Sequence, residues 1–161
     1  MNPFVKTYTY HSEIWLPRPV AEVFEFFSNA GNLQELTPPW VQFSILTPGP
    51  ISMHPGSLID YRIKIHGIPL RWRTEITEWE PGIRFVDEQR KGPYRLWRHE
   101  HRFESLRDGT LMTDTVHYAV YGGALIHALF VKADVERIFN YRRERMEALF
   151  GAIDESEAVA S

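Results

Sequence analysis

The stretch "RLWRHEHRFESLRDGTLMTDTVHYAVY", Arg95 to Tyr121, decides the architecture. Asp108-Gly109 lies near its middle. That dipeptide favours a two-residue hairpin, because a type I′ turn needs positive φ at both central positions. The residues on either side alternate in character and are rich in β-formers, so two antiparallel strands are expected. Trp97, His99, His101 and Phe103 share one face of the first strand, and Arg98, Glu100 and Arg102 share the other. Asp114, Val116, Tyr118 and Val120 extend the first set across the turn. The imidazoles therefore point inward and the guanidiniums toward water.

The same alternation recurs upstream in "LIDYRIKI" (58–65), "LRWRTEITEW" (70–79) and "IRFVDEQR" (83–90), joined by "HGIP", "PG" and "KGP". Carried across simple hairpins, the inner face takes Ile59, Tyr61, Ile63 and Ile65, then Leu70, Trp72, Thr74 and Ile76, then Phe85, Asp87 and Gln89. This register sets Arg62, Arg73 and Arg90 side by side and Glu75 opposite Glu88. Such like-charge pairing is unfavourable unless a bulge or a slip by two changes the partners while keeping the faces. Before these strands, "KTYTYHSEIWL" reads as a first strand. "PRPVAEVFEFFS" reads as a helix, with Pro19 near its N-terminus and Val20, Val23, Phe24 and Phe27 at helical spacing. "NAGNLQELTPPW" gives a turn and a short helix stopped by Pro38-Pro39. "VQFSIL" gives another strand, and the prolines of "TPGPISMHPGS" force a loop.

After the meander, "ALIHALFVKADVERIFNYRRERMEALF" contains neither proline nor glycine. It reads as one long amphipathic helix with Leu125, Leu129, Val131, Val135, Ile138, Met146 and Leu149 as its apolar positions. Arg142-Arg143-Glu144-Arg145 alternates in charge and reads as a solvated face near the helix C-terminus. An anionic-ligand gate is the sharper alternative for that run. The "YGGA" of Tyr121–Ala124 frees the chain to turn from strand into helix. A meander cannot bury its apolar face alone, so the helix should pack across it.

The chain of 161 residues is 43% hydrophobic and 14% aromatic, enough for one domain over residues 1–150 with a sizeable core. Residues 151–161, small and acidic, read as a flexible tail. A net charge of -3, with cations interleaved among acids, gives no nucleic-acid footprint. Zero cysteines exclude disulfides, thiolate catalysis and cysteine-ligated zinc. The N-terminus has no signal-peptide pattern and no apolar run is long enough to span a bilayer, so a cytoplasmic protein without stable membrane insertion is expected. Self-association into a homodimer stays open.

The inner face also holds Asp87, Gln89, His99, His101, Asp114 and Tyr118. An unpaired polar group costs about 1–3 kcal/mol when buried. These groups must either satisfy one another or line a solvated cavity that meets a ligand. His99 and His101 share a side of their strand, a spacing some metal sites use, with Asp87 or Asp114 as a third ligand. The plainer reading, two hydrogen-bonded imidazoles in a cavity wall with no metal, is preferred. His99, with Tyr118 opposite and Asp87 diagonal, could instead act as an acid–base group, or the three could be a structural network. Trp72, Phe85, Trp97 and Phe103 could stack on a flat ligand or simply fill the core.

The order of elements, with "FVDEQRKGPYRLWRHEHRF", "GTLMTDTVHY" and "RIFNYRRERM", resembles the ligand-binding SRPBCC group of the START/polyketide cyclase–dehydrase superfamily. The resemblance runs from about Lys6 to Phe150. It implies an α+β helix-grip fold, as in the birch-pollen allergens: a curved antiparallel sheet wrapped around the long C-terminal helix, with two short helices after the first strand. It implies a hydrophobic cavity between sheet and helix, bordered at its mouth by the "YGGA" junction and the "TPGPISMHPG" loop. No shared catalytic motif comes with it.

The expected function is binding or transport of a hydrophobic small molecule, lipid-like or aromatic and polyketide-like, without a cofactor. Tyr61, Ile63, Trp72, Phe85, Gln89, Trp97, Phe103, Asp114 and Val116 are the candidate ligand contacts. The alternative is a cofactor-independent cyclase or dehydratase using His99, His101, Asp87 and Tyr118. A third reading is a vestigial pocket on a protein-interaction domain. No phosphate cradle, nucleophile elbow or nucleotide fingerprint occurs.

Overall fold

A computed structural model describes residues 5–151, so the expected tail from Ala152 onward lies outside the described residues. β1 (Tyr8–Leu16) leads into α1 (Val20–Ser28), a 3-10 turn over Ala30–Asn32, α2 (Leu33–Leu36) and a second 3-10 turn over Pro39–Val41. β2 (Ser44–Ile45) follows, then the meander β3 (Leu58–Ile65), β4 (Ile68–Glu80), β5 (Arg84–Lys91), β6 (Leu96–Leu106) and β7 (Gly109–Ala119). The chain closes with α3 (Gly123–Ile126), a π-helical turn over His127–Val131 and α4 (Lys132–Phe150). The seven strands form one antiparallel sheet in the order β1-β7-β6-β5-β4-β3-β2. This is the helix-grip arrangement.

The inward and outward faces follow the alternation, and His99, His101 and Phe103 are buried while Arg102 and Glu104 are exposed. The strand partners are not those of simple hairpins. The tight two-residue turn at His66-Gly67 sets Arg73 across from Asp60 and Arg62 across from Arg71, while register shifts between β4 and β5 at Arg73/Thr74 and Ile76/Glu78 set Lys91 across from Arg73. Arg73 then grips Asp60 through two hydrogen bonds of 2.8 and 3.1 Å. Glu75 still faces Glu88, and Arg90 relieves the pair by reaching Glu75 at 3.2 Å. Cross-strand and diagonal reach thus gives Arg73 and Arg90 carboxylate partners, although Arg62 still faces Arg71 and Arg73 still faces Lys91.

The β6–β7 turn lies one residue earlier than its sequence suggests. Leu106 pairs with Gly109, so Arg107 and Asp108 form the loop, both with positive φ (50° and 58°). Gly109 serves a different need. A Cβ there would press on the Leu16 carbonyl and sit 2.5 Å from the Trp15 ring. The absent side chain lets β1 close over the hairpin, where Trp15 donates to the Leu106 carbonyl at 2.7 Å.

The C-terminal helix buries a different stripe from the one its leucines suggest. Val135, Phe139, Arg142, Met146 and Phe150 face inward, whereas Leu125, Leu129 and Leu149 are exposed. Leu125 and Leu129 continue along the helix through Lys132 and Glu136, an outward row. Phe24, Phe27, Phe85, Phe103, Met112, Met146 and Phe150 form the main core cluster, with α1 seated on β5–β7.

Gly109→Val is expected to lower the urea-unfolding free energy by about 2–4 kcal/mol, because the new methyl groups must displace β1. Asp108→Gly, which relieves a left-handed backbone, should leave stability unchanged or slightly raised in the same measurement.

Candidate ligand-binding site

A cavity of about 200 Å³ lies between the inner face of the sheet, the short helices and α4. β3 and β4 supply Ile59, Tyr61, Ile63 and Trp72, β6 supplies Trp97, and α4 supplies Ile138 and Phe139. β-branched and aromatic side chains alternate inward on these strands, which is why one wall is almost wholly apolar. Tyr61 and Trp72 bring hydroxyl and indole groups, but both turn them onto Thr74 Oγ1, at 2.5 and 3.1 Å. The polar atoms there are satisfied internally.

One part of the cavity wall is charged. Asp87, His99, His101 and Arg142 line it, and Asp114 stands behind them. On adjacent strands Asp87 faces His99 and Asp114 faces His101, yet the hydrogen bonds run diagonally. His101 Nε2 lies 2.6 Å from Asp87 Oδ2, and His99 Nε2 lies 2.6 Å from Asp114 Oδ1. The two imidazoles stack with centroids 3.6 Å apart, and Phe85 stacks on His101 at 4.1 Å.

Arg142 closes the cluster from the helix side. Its Nη2 is 3.3 Å from His101 Nδ1 and 3.7 Å from Asp114 Oδ1. A guanidinium can only donate, so His101 Nδ1 accepts and Nε2 carries the proton given to Asp87. His99 Nε2 likewise donates to the Asp114 carboxylate. Arg142 Nε, buried, has no hydrogen-bond partner.

The electrostatics follow from this geometry. Burial alone would raise the Asp114 carboxyl. The nearby Arg142 charge and the His99 hydrogen bond outweigh it and hold that carboxyl well below the usual carboxylate range. Burial likewise opposes ionisation of Asp87, but the His101 hydrogen bond and the neighbouring cationic groups keep it low. Burial, reinforced by His99 beside it, lowers His101 to about 4 against the pull of Asp87. Near neutral pH His101 is therefore an uncharged ring between a carboxylate and a guanidinium.

Asp87, His99 and His101 could offer a cation three ligand atoms lying within 4.8 Å of one another. Binding one would break the His101–Asp87 hydrogen bond and bring a second cation beside Arg142.

Of the expected residues, Tyr61, Ile63, Trp72, Phe85, Asp87, Trp97, His99 and His101 reach the cavity. The others sit elsewhere. Gln89 pins the β5–β6 turn through both polar atoms, to the Tyr94 carbonyl at 2.7 Å and the Tyr94 amide at 3.0 Å. Phe103 packs in the main core and Val116 against Val135 and Phe139. Tyr118 lies opposite Trp97, not His99, and its hydroxyl bonds His127 Nε2 at 2.7 Å, so the expected His99–Tyr118 group does not form. Arg142, read from sequence as solvated, is buried in the wall. Its signal was the spacing Val135, Phe139, Arg142, Met146, Phe150, a helical stripe with a cation inside it.

A second chamber of about 470 Å³ adjoins the first. Val41, Ile65, Tyr94 and Ile138 belong to the walls of both. The outer chamber is rimmed by Trp40, Lys64, His66, Tyr121, Ile126 and Arg137.

The chain belongs to the family described as polyketide cyclase / dehydrase and lipid transport, whose model matches residues 16–147. No curated protein matches it. Among solved structures, the protein CV1439 from Chromobacterium violaceum is similar, with a TM-score of 0.71 and 12% identity over 90% of this chain and 98% of that one. The ginseng major latex-like protein 151 from Panax ginseng aligns with a TM-score of 0.66 and 12% identity, over 89% and 97% of the two chains. Ara h 8.0201 aligns at 0.65 and 15% identity, over 90% and 98%. These likenesses establish the shared fold. Among the described residues no helix is long and apolar enough to cross a membrane.

Two outcomes test the cluster. Stability should rise as pH goes from about 4 to 6.5, since the unfolded chain binds a proton at His101 that the folded one refuses. His101→Gln should flatten that rise in urea-unfolding curves taken across the range, and an unchanged slope would contradict the assignment. His127, also lowered by burial, contributes in the same direction, as do the lowered Asp87 and Asp114 carboxyls at the acid end, and together they set the residual slope. Separately, Arg142→Met should cost about 3–5 kcal/mol by stranding Asp114. Adding Asp114→Asn should recover part of that loss.

Proposed function

We propose that this chain binds a hydrophobic small molecule, lipid-like or aromatic and polyketide-like, between the sheet and the C-terminal helix. The observation that carries this reading is a mostly apolar cavity wall that contains one compact charged cluster. Apolar and aromatic side chains make most of the wall, and Asp87, His99, His101 and Arg142 form one hydrogen-bonded cluster within it. Such a cavity holds an apolar body by burial and orients it by a few fixed polar contacts. Asp87 presents the accessible carboxylate, with a side chain 17% exposed. A ligand hydroxyl donating to it would be recognised at that cluster.

The family description, polyketide cyclase / dehydrase and lipid transport, supports the same class of ligand. A catalytic version of the reading draws on one further feature. His99 in its neutral form has its proton on Nε2, committed to Asp114, which leaves Nδ1 as a base 3.8 Å from Asp87. Asp114 would stabilise the imidazolium formed when that nitrogen takes a proton from a bound ligand. Cyclisation or dehydration without a cofactor would use such a group, and Tyr118 would take no part.

Mass spectrometry of denatured protein purified without added ligand is expected to release a hydrophobic molecule. Ile63→Trp, which fills the apolar wall, should abolish its retention while the protein stays folded. Retention unchanged by Ile63→Trp would place the ligand elsewhere. In the catalytic version, Asp87→Ala with His99→Ala would stop product formation and leave ligand retention nearly intact.

A further inference from the structure

Ten large apolar side chains are exposed among the described residues, and five of them, Tyr121, Leu125, Ile126, Leu129 and Phe130, fall in one stretch. Leu125 is 68% exposed and Leu129 60%. Between Tyr121 and Val131 there is no charged residue, and only His127 turns inward. A water-facing helix ordinarily carries polar groups on its outer side. Here the outer side is apolar. Trp40, 47% exposed, shares the outer-chamber rim with Tyr121 and Ile126, so the apolar surface surrounds that opening.

The charges beside this surface are mostly positive. Lys132 follows it directly. Lys6 and Lys132 both approach His127 closely enough to oppose its protonation. Lys64 and Arg137 stand in the chamber rim. Of the nearby acids, Asp134 is engaged by His66 at 2.8 Å, which leaves Glu136 as the exposed one.

We propose that the segment from Tyr121 to Lys132 is a docking surface for an anionic lipid bilayer. Leu125, Leu129 and Phe130 enter the boundary between headgroups and acyl chains, and Lys6, Lys64, Lys132 and Arg137 meet the headgroup charge. A contiguous exposed apolar patch marks an interaction site. Its charge selects the partner. A second copy of this chain placed on the same surface would bring four cations against four, whereas an anionic bilayer offers both apolar depth and negative charge. The chamber mouth would open onto the bilayer in that pose. The inference stands on the surface alone, whatever the inner cavity holds.

Co-sedimentation of the full chain with vesicles tests it. Vesicles of phosphatidylcholine with phosphatidylglycerol should carry the protein down, less so as salt screens the headgroups, and vesicles of phosphatidylcholine alone should carry little. The combined Leu125→Ser, Leu129→Ser and Phe130→Ser variant should partition about 100-fold more weakly, and Lys132→Glu about tenfold. The chain has zero cysteines, so Phe130→Cys takes a polarity-sensitive dye at one place. Its emission should shift to the blue only with the anionic vesicles, and this reading decides the matter if the triple variant fails to fold. An unshifted dye, no sedimentation of the parent with phosphatidylglycerol, or equal binding by a folded triple variant would overturn the proposal. So would a concentration-dependent dimer that the triple variant abolishes without any lipid binding, which would assign the surface to a second copy.

Discussion

A guanidinium buried between a helix and a sheet must be matched by negative charge, and Arg142 is matched by Asp114 at 3.7 Å across that interface. This contact sets the rotation of α4 about its own axis. With Arg142 turned inward, Phe139 three residues before it and Met146 four after it are carried onto the sheet as well. The same contact decides the chemistry of the cavity. By donating to His101 Nδ1, Arg142 fixes the tautomer that binds Asp87, so helix placement and imidazole protonation are one arrangement. A cation on the solvent side of this helix would have left both undetermined.

The rest of the molecule divides its polar groups by face. Outward-facing arginines find carboxylates through bulges and diagonal reach, as Arg84 does with Glu78 and Glu100, at 3.1 and 2.9 Å. Such exposed pairs contribute little to stability, and their main effect is to keep one face wet. Inward-facing polar groups are few and almost fully paired with one another. What remains unpaired there is the Tyr8 hydroxyl beside His127 and, in the cavity wall, Arg142 Nε and the accessible part of Asp87.

Much of this could be read from residue order. The period of two in "WRHEHRF" put both imidazoles on the buried face, and strand side chains cannot change sides without a break in the pleat. Strand partners were less legible, because the bulges at Arg73/Thr74 and Ile76/Glu78 depend on where charges can pair in space. The hairpin turn moved by one residue for a similar reason: Gly109 is needed by β1, a contact ninety residues away in sequence that no local rule contains. Arg142 stands in a row of four charged residues that looks solvated, although its spacing from Phe139 and Met146 places it among buried neighbours. Alternation puts Tyr118 on the same face as His99 but does not fix which residue it meets. The true register places Tyr118 two residues along, opposite Trp97, where its hydroxyl meets His127 of the C-terminal helical segment.

The margins of the sheet carry a last consequence. At one side β2 is two residues long, and the amides that follow it, Leu46 and Thr47, both turn back onto the Asp60 carbonyl before prolines interrupt the chain. At the other side β1 presents exposed His11 and Glu13, and Arg143 of α4 takes the Glu13 carbonyl. The β2 border is too short to offer a stranger's backbone a long row of free amides, and along β1 the charged side chains and Arg143 hinder such pairing. A hollow protein, with less packed interior to resist opening, is thereby shielded from the open-ended stacking through which loosened sheets become fibrils.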